Sequence, residues 1–202
     1  MPNLHLFLTT ITDIGDSASL LAITFAGSLY LLSQKSSRGA LFLVAAFLLS
    51  ALVVSLLKIV FLGCQSYFYS PEIHSPSGHA ALSATVFLAY AVLMHGQLGT
   101  KKCVLPLLLL TLLIAAIAMS RVLLSFHSAP EVFIGLTAGI LSLLIAYALV
   151  LRRKVFVSFD AYALALCGVI TAFLFNGTHL PAETYIHTLA THIHNHVPLC
   201  EN

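Results

Sequence analysis

The chain of 202 residues is 59% hydrophobic and only 8% charged, with a mean hydropathy of +1.01. Soluble domains carry roughly 25% charged residues. This chain has too little polar surface to cover a globule in water, which excludes a cytosolic enzyme, a disordered chain and a nucleic-acid binder. The bilayer must be its solvent, so the net charge of +2 matters less than where the nine basic residues lie. Cys64, Cys103, Cys167 and Cys200 form no CxxC pair, which argues against zinc ribbons and thioredoxin-like chemistry.

Residues 1–17 contain Asp13 and Asp16 but no Lys or Arg. A signal peptide needs a basic n-region, so the first apolar stretch is expected to be retained. Residues 4–14 read as a short amphipathic helix lying along the interface. Six stretches then approach the roughly 20 apolar residues that cross hydrocarbon as a helix. They are 18–33, 40–62, the run from just before His79 to Met94, 104–124, 132–151 and 161–175. The expected fold is all-α: a polytopic membrane bundle of about six transmembrane helices, forming one integral-membrane domain over 1–202. No repeat, low-complexity segment or linker interrupts it.

Lys35, Arg38, Lys101, Lys102, Arg152, Arg153 and Lys154 fall in alternate connections between these stretches. By the positive-inside rule those connections are cytoplasmic, which puts both termini and loops 63–75 and 125–131 outside. Lys58 and Arg121 are the exceptions, near the outer ends of their helices. A charge within a membrane helix costs about 2.5–3.5 kcal/mol on insertion scales, so each must snorkel or find an anionic partner.

The same outer loops gather the chemistry. Residues 75–79 read Ser-Pro-Ser-Gly-His and run into the third stretch; Ser75 suits a helix cap and Pro76 its first turn. The amides near Ser77, Gly78 and His79 would then face outward, an arrangement that favours anions. Residues 120–131 read SRVLLSFHSAPE. His127 and Glu131 lie one helical turn apart, so the carboxylate can hold one imidazole nitrogen while the other stays free to attack. Cations, hydroxyls, histidines and a carboxylate at one membrane face make a plausible phosphate site.

Lys58, then PSGH at 76–79, then SR(x5)H(x3)E at 120–131 resembles the type 2 phosphatidic acid phosphatase superfamily, over a motif core of about 50–140. The resemblance implies a metal-independent lipid phosphatase with its active site at the outer face. It makes His127 the nucleophile, Glu131 its orienting carboxylate and His79 the general acid. Lys58, Ser77, Gly78 and Arg121 match the groups that hold phosphate oxygens. No cofactor or metal is implied. Two positions depart from the family's pattern: Gln65-Ser66 stands where it has Arg-Pro, removing a guanidinium clamp, and Glu131 stands where it has Asp.

The expected substrate is a phosphomonoester or diphosphate carried on a lipid: phosphatidic acid, phosphatidylglycerophosphate, a polyprenyl diphosphate or similar. The partners are this lipid and the membrane, with no nucleic acid. Transfer of phosphate between lipids, or a non-catalytic lipid-phosphate-binding or transporter subunit, are the alternatives. The expected location is a bacterial inner membrane with the site facing the periplasm. Gly135-Leu-Thr-Ala-Gly139 suggests close helix packing inside the bundle. The tail 179–202 is histidine-rich; His192 and His196 have metal-pair spacing, but Leu180, Ile186, Leu189 and Ile193 favour an amphipathic interfacial helix. Cys64 and Cys200, both outside, are candidates for a disulfide, whereas Cys103 and Cys167 should remain thiols.

Overall fold

A computed structural model of the protein describes residues 2–63, 73–152 and 158–196. All regular structure among them is α-helical: α1 (Pro2–Ile14), α2 (Ser17–Ser33), α3 (Ser37–Gly63), α4 (Gly78–Leu123), α5 (Ala129–Val150), α6 (Ala161–Phe175) and α7 (Ala182–His196). Local chemistry sets several of the starts. Asp16 caps α2 by accepting from the Ala18 amide at 2.9 Å, and Asp160 caps α6 by accepting from Tyr162 and Ala163 at 2.8 and 3.2 Å.

With 46 residues, α4 would run about 69 Å if straight, more than twice the roughly 30 Å of hydrocarbon. It is broken at Gly99, whose φ of 70° and ψ of 173° lie in a region essentially reserved for glycine. The chain doubles back there. The Cys103 thiol reaches the Ala91 carbonyl at 3.8 Å, Met94 packs with Cys103, and Ala80 packs with Ala118. The third and fourth apolar stretches of the sequence are thus the two halves of one hairpin.

Three helices are long and apolar enough to cross a membrane: Ser37–Gly63, Gly78–Leu123 and Ala129–Val150. A fourth span arises if Leu4–Ile14 and Ser17–Ser33, bent by 45° at Gly15 and Asp16, are taken as one, and Ala161–Phe175 is a shorter apolar helix. Each of the six apolar stretches coincides with a helix or half of α4. The protein is a membrane protein built inside out: small and hydroxyl side chains such as Ser19, Ser28, Ser50, Ser83, Thr85 and Ser142 are buried, while Phe25, Leu48, Leu112, Phe133 and Phe173 are exposed.

The segment α1 forms over the expected residues, and its Ile11 and Ile14 rest against the main core. A methyl at Gly15 would come within 2.6 Å of Ile117, so α1 closes tightly on the second half of α4. α2 and α6 run antiparallel, tied by Ser19 Oγ to the Phe175 carbonyl at 2.9 Å and by Tyr30 OH to the Asp160 carbonyl at 3.0 Å. α3, α4 and α5 meet at Thr85, whose Oγ1 lies 2.9 Å from Ser50 Oγ and from the carbonyls of Ala81 and Gly139. The Gly135/Gly139 pair packs as its spacing suggests: added Cβ atoms would fall 2.4 Å from the Ser77 carbonyl oxygen and 2.2 Å from that of Ala81.

One bundle end carries Lys35, Arg38, Lys101, Lys102 and Arg152, and the other the ends of α3, α4 and α5 that hold the PSGH and SR(x5)H motifs. Away from the motifs, an apolar cavity of about 530 Å³ opens between the second half of α4 and α6, lined by Tyr90, Leu110 and Phe173. Cys103 and Cys167 are free thiols; Cys64 and Cys200 lie outside the described residues.

At Gly99 nothing lies within 4 Å of an added Cβ, so a side chain there meets backbone strain alone. Gly99→Ala should destabilise the hairpin by about 1–3 kcal/mol, read as a lower Tm in detergent.

Candidate active site

Glu131 sits at the third position of α5 and is buried, with 4% exposure. Its Oε2 accepts from the Ser128 amide at 3.0 Å while the Ser128 hydroxyl accepts from the Glu131 amide at 3.4 Å, a capping box that starts α5 after Ser128. The same Oε2 lies 2.9 Å from Nδ1 of His127, and Oε1 accepts from the amides of His74 and Ser75 at 2.6 and 2.8 Å. Both carboxylate oxygens are saturated, and this donor set fixes the carboxylate as an anion. Its partner pair leaves Nε2 as the other nitrogen of His127. Burial lowers the His127 pKa from its ordinary 6.5; Glu131 opposes this but does not overcome it, so the ring is neutral at pH 7.

The end of α4 places Arg121 and His127 together. Ser125, at φ 57°, is left-handed; the Phe126 amide returns to the Arg121 carbonyl at 3.0 Å and the Ser125 amide to that of Val122 at 3.0 Å. This is a Schellman cap, with serine where glycine is usual. The His127 amide also bonds the Arg121 carbonyl, at 3.2 Å. The Arg121 guanidinium lies 4.4 Å from the Phe126 ring centroid and has Thr12 Oγ1 3.4 Å from one terminal nitrogen. Its Nε is buried without a hydrogen-bond partner among the described residues, a donor that an oxyanion would satisfy.

At the start of α4 the cap is Ser77, not Ser75. Ser77 has extended φ/ψ of −72° and 113°, and its Oγ accepts from the Ala80 amide at 3.5 Å. The Ser75 amide donates to Oε1 of Glu131 and the Ser77 amide to its carbonyl, and α4 starts two residues later than a cap at Ser75 would give. That cap does not use the Ser77 hydroxyl proton, and the amides of Gly78 and His79 precede any intrahelical acceptor.

Lys58, 4% exposed on α3, reaches this turn: its Nζ would lie 3.9 Å from a Cβ at Gly78. It does not snorkel. Its ammonium donates to Oε1 of Glu183, from the first turn of α7. Burial pushes the Glu183 pKa up, but Lys58 outweighs it and holds the group below the usual carboxylate value. His79 Nε2 lies 3.6 Å from Oδ2 of Asp16, which His179 Nδ1 also approaches at 3.2 Å. Lys58, Gly78, His79, Asp16 and Glu183 line one cavity of about 230 Å³, whose remaining wall, apart from Ser17 and Ser55, is apolar and includes Phe47, Val54 and Leu82.

All seven residues singled out in the sequence, Lys58, Ser77, Gly78, His79, Arg121, His127 and Glu131, therefore meet at one end of the bundle. The sequence reading missed Thr12, Asp16, His179 and Glu183. Asp16 could have been found as a capping residue directly before an apolar run, and the chain has only seven acids to neutralise two membrane-buried cations. Gln65, Ser66 and the side chain of His196 lie outside the described residues. Among the described residues no three His, Cys, Asp or Glu side chains are placed to hold a metal ion.

An all-helical membrane protein with two buried cations, a helix start and an oriented histidine at one bundle end is the class these features define. The family described as the PAP2 superfamily matches residues 39–155, more than half of the chain, and the protein belongs to it. Members are generally phosphatases, often of lipid phosphates. No curated protein and no solved structure matches the chain.

In Glu131→Gln one acceptor oxygen becomes an NH2 facing N–H donors, so stability should drop by about 1–3 kcal/mol, measured by thermal unfolding. Ser125→Gly should instead stabilise the α4 cap, by about 1–2 kcal/mol from relief of the left-handed strain, in the same assay.

Proposed function

We propose that the protein is a phosphatase of lipid-borne phosphate that works through a phosphohistidine on His127. The observation that carries this reading is the His127–Glu131 pair at 2.9 Å, with the buried Nε of Arg121 and the start of α4 beside it. A histidine held at Nδ1 by a saturated carboxylate has its Nε2 lone pair available for attack. The cavity joining Lys58, Gly78 and His79 to an apolar wall supports a substrate with a phosphate head and a hydrocarbon tail, such as phosphatidic acid, phosphatidylglycerophosphate or a polyprenyl diphosphate.

In the first step Nε2 of His127 attacks phosphorus. The bond to the leaving oxygen breaks, and that oxygen takes a proton from His79. Asp16, whose Oδ2 lies 3.6 Å from Nε2 of His79, orients that ring for the transfer. In the second step a water attacks the phosphoryl group, passes its proton to His79 and returns the P–N electron pair to Nε2. Lys58, Arg121, the Ser77 hydroxyl and the Gly78 and His79 amides stabilise the charge on the equatorial oxygens. No step calls on a metal. The whole chain acts as one integral-membrane unit of about six spans, with each half of α4 crossing once. The basic loops face the cytoplasm of a bacterial inner membrane, and the site and both termini face the periplasm.

His127→Ala should abolish phosphate release from phosphatidic acid and labelling by a radioactive phosphate donor; normal turnover would sink the assignment. His79→Ala should cost about 10²–10⁴-fold with alkyl phosphates and much less with aryl phosphates, whose leaving groups need no proton. The acid limb of kcat/KM should fall below pH 6.5, because burial holds His127 neutral down to lower pH. For topology, impermeant thiol reagents applied to whole cells should label a cysteine introduced at Thr178 but not one at Ser37, against the native-cysteine background. The reverse pattern would put the site in the cytoplasm.

A further inference from the structure

The ion pair between Lys58 and Glu183 is asymmetric. The Lys58 side chain is 5% exposed and fixed between helices, whereas the Glu183 side chain is 52% exposed and free to turn toward water. A carboxylate resembles phosphate in charge and in its oxygen acceptors, and this one occupies the cation that faces Gly78 and the cavity beside His79. It comes from outside the matched region 39–155, on a helix whose Ala190 is buried and lies near Gly63 of α3.

Building on the phosphatase reading, we propose that Glu183 is a built-in competitor for the phosphate position on Lys58. It rests on the cation in the free protein, swings out when a substrate phosphate arrives, and returns to expel inorganic phosphate after hydrolysis. Binding then requires the open position of Glu183, so the apparent affinity for any phosphate falls by the fraction of protein that is open. A lipid offsets that loss through its tail in the apolar part of the cavity, against Phe47, Val54, Leu180 and Ile186. Free phosphate has no tail and is released. Glu183 touches no reacting atom; it acts through Lys58.

The test is inorganic phosphate binding to purified protein in detergent, followed by ³¹P NMR so that no turnover is needed. Glu183→Gln should bind phosphate about tenfold more tightly than the wild type. Glu183→Asp, which keeps the charge, should stay near the wild type. Equal or weaker binding in Glu183→Gln would overturn the proposal. Should that variant fail to fold, a nitroxide on a cysteine at exposed Tyr185 reports on α7 in the otherwise native chain. Its mobility should rise on addition of saturating phosphate, and an unchanged spectrum would overturn the proposal equally. Absence of turnover with every lipid phosphate, alongside tighter phosphate binding in Glu183→Gln, would instead remove the phosphatase reading and leave the competitor standing.

Discussion

The carboxylate of Glu131 accepts hydrogen bonds from three backbone amides and faces a fourth partner, the His127 ring. Those partners belong to three different pieces of chain: the loop that enters α4, the cap of α5 and the segment that leaves α4. None of the three is regular structure. One buried anion draws them together; the buried Ser75 amide would otherwise be a donor without an acceptor. The Ser77 amide adds a further tie, donating to the Glu131 carbonyl at 3.1 Å. The start of α4, the end of α4 and the start of α5 thus share one origin.

This also gives a physical account of glutamate where the family pattern has aspartate. The capping box favours a residue at the third helical position long enough to reach back to the cap amide, which glutamate is. Its extra methylene lets a single carboxylate close that box and still face His127 and the α4 entrance loop. The position of α5 is held from the other side by Gly135 and Gly139, which let the backbones of α4 and α5 approach to a distance no side chain permits. A shift of α5 would move Glu131 and Ser77 together.

Much of this was legible in the sequence, for reasons that can be named. Hydrocarbon demands long apolar helices, so the six stretches stood out and each coincides with helix. The two motifs lie at helix ends, where capping chemistry is local: Ser128 to Glu131, and Ser125 to Arg121. What was not legible is long-range. The cap of α4 is Ser77 and not Ser75, and the entrance loop that sets it is tied to Glu131, more than fifty residues away, through the Ser75 and Ser77 amides. The counterions of Lys58 and His79 come from Glu183 and Asp16, at opposite ends of the chain. No periodicity links residue 58 to residue 183, and only packing of α7 on α3 makes them neighbours. α1 reads as interfacial by its pattern, yet Thr12 is buried against Arg121.

The flanking segments therefore have a definite physical task. A buried ammonium or guanidinium left without a partner costs several kcal/mol, and an anion site in a membrane protein faces this cost whenever its ligand is gone. The matched region 39–155 supplies Lys58 and Arg121, but Glu131, its one buried acid among the described residues, is already saturated by the loops it organises. Neutralising charge has to come from elsewhere. Glu183 brings it to Lys58, Asp16 lies beside His79, and Thr12 offers Arg121 a hydroxyl oxygen, all from segments on either side of that region. Asp16 spends one oxygen capping α2 and turns the other to His79, so it is fixed in place. Glu183 is half exposed and, among the described residues, hydrogen-bonded to Lys58 alone, so it can leave. A site with one fixed and one removable counter-anion can shed one negative charge at the moment a phosphate needs the cation.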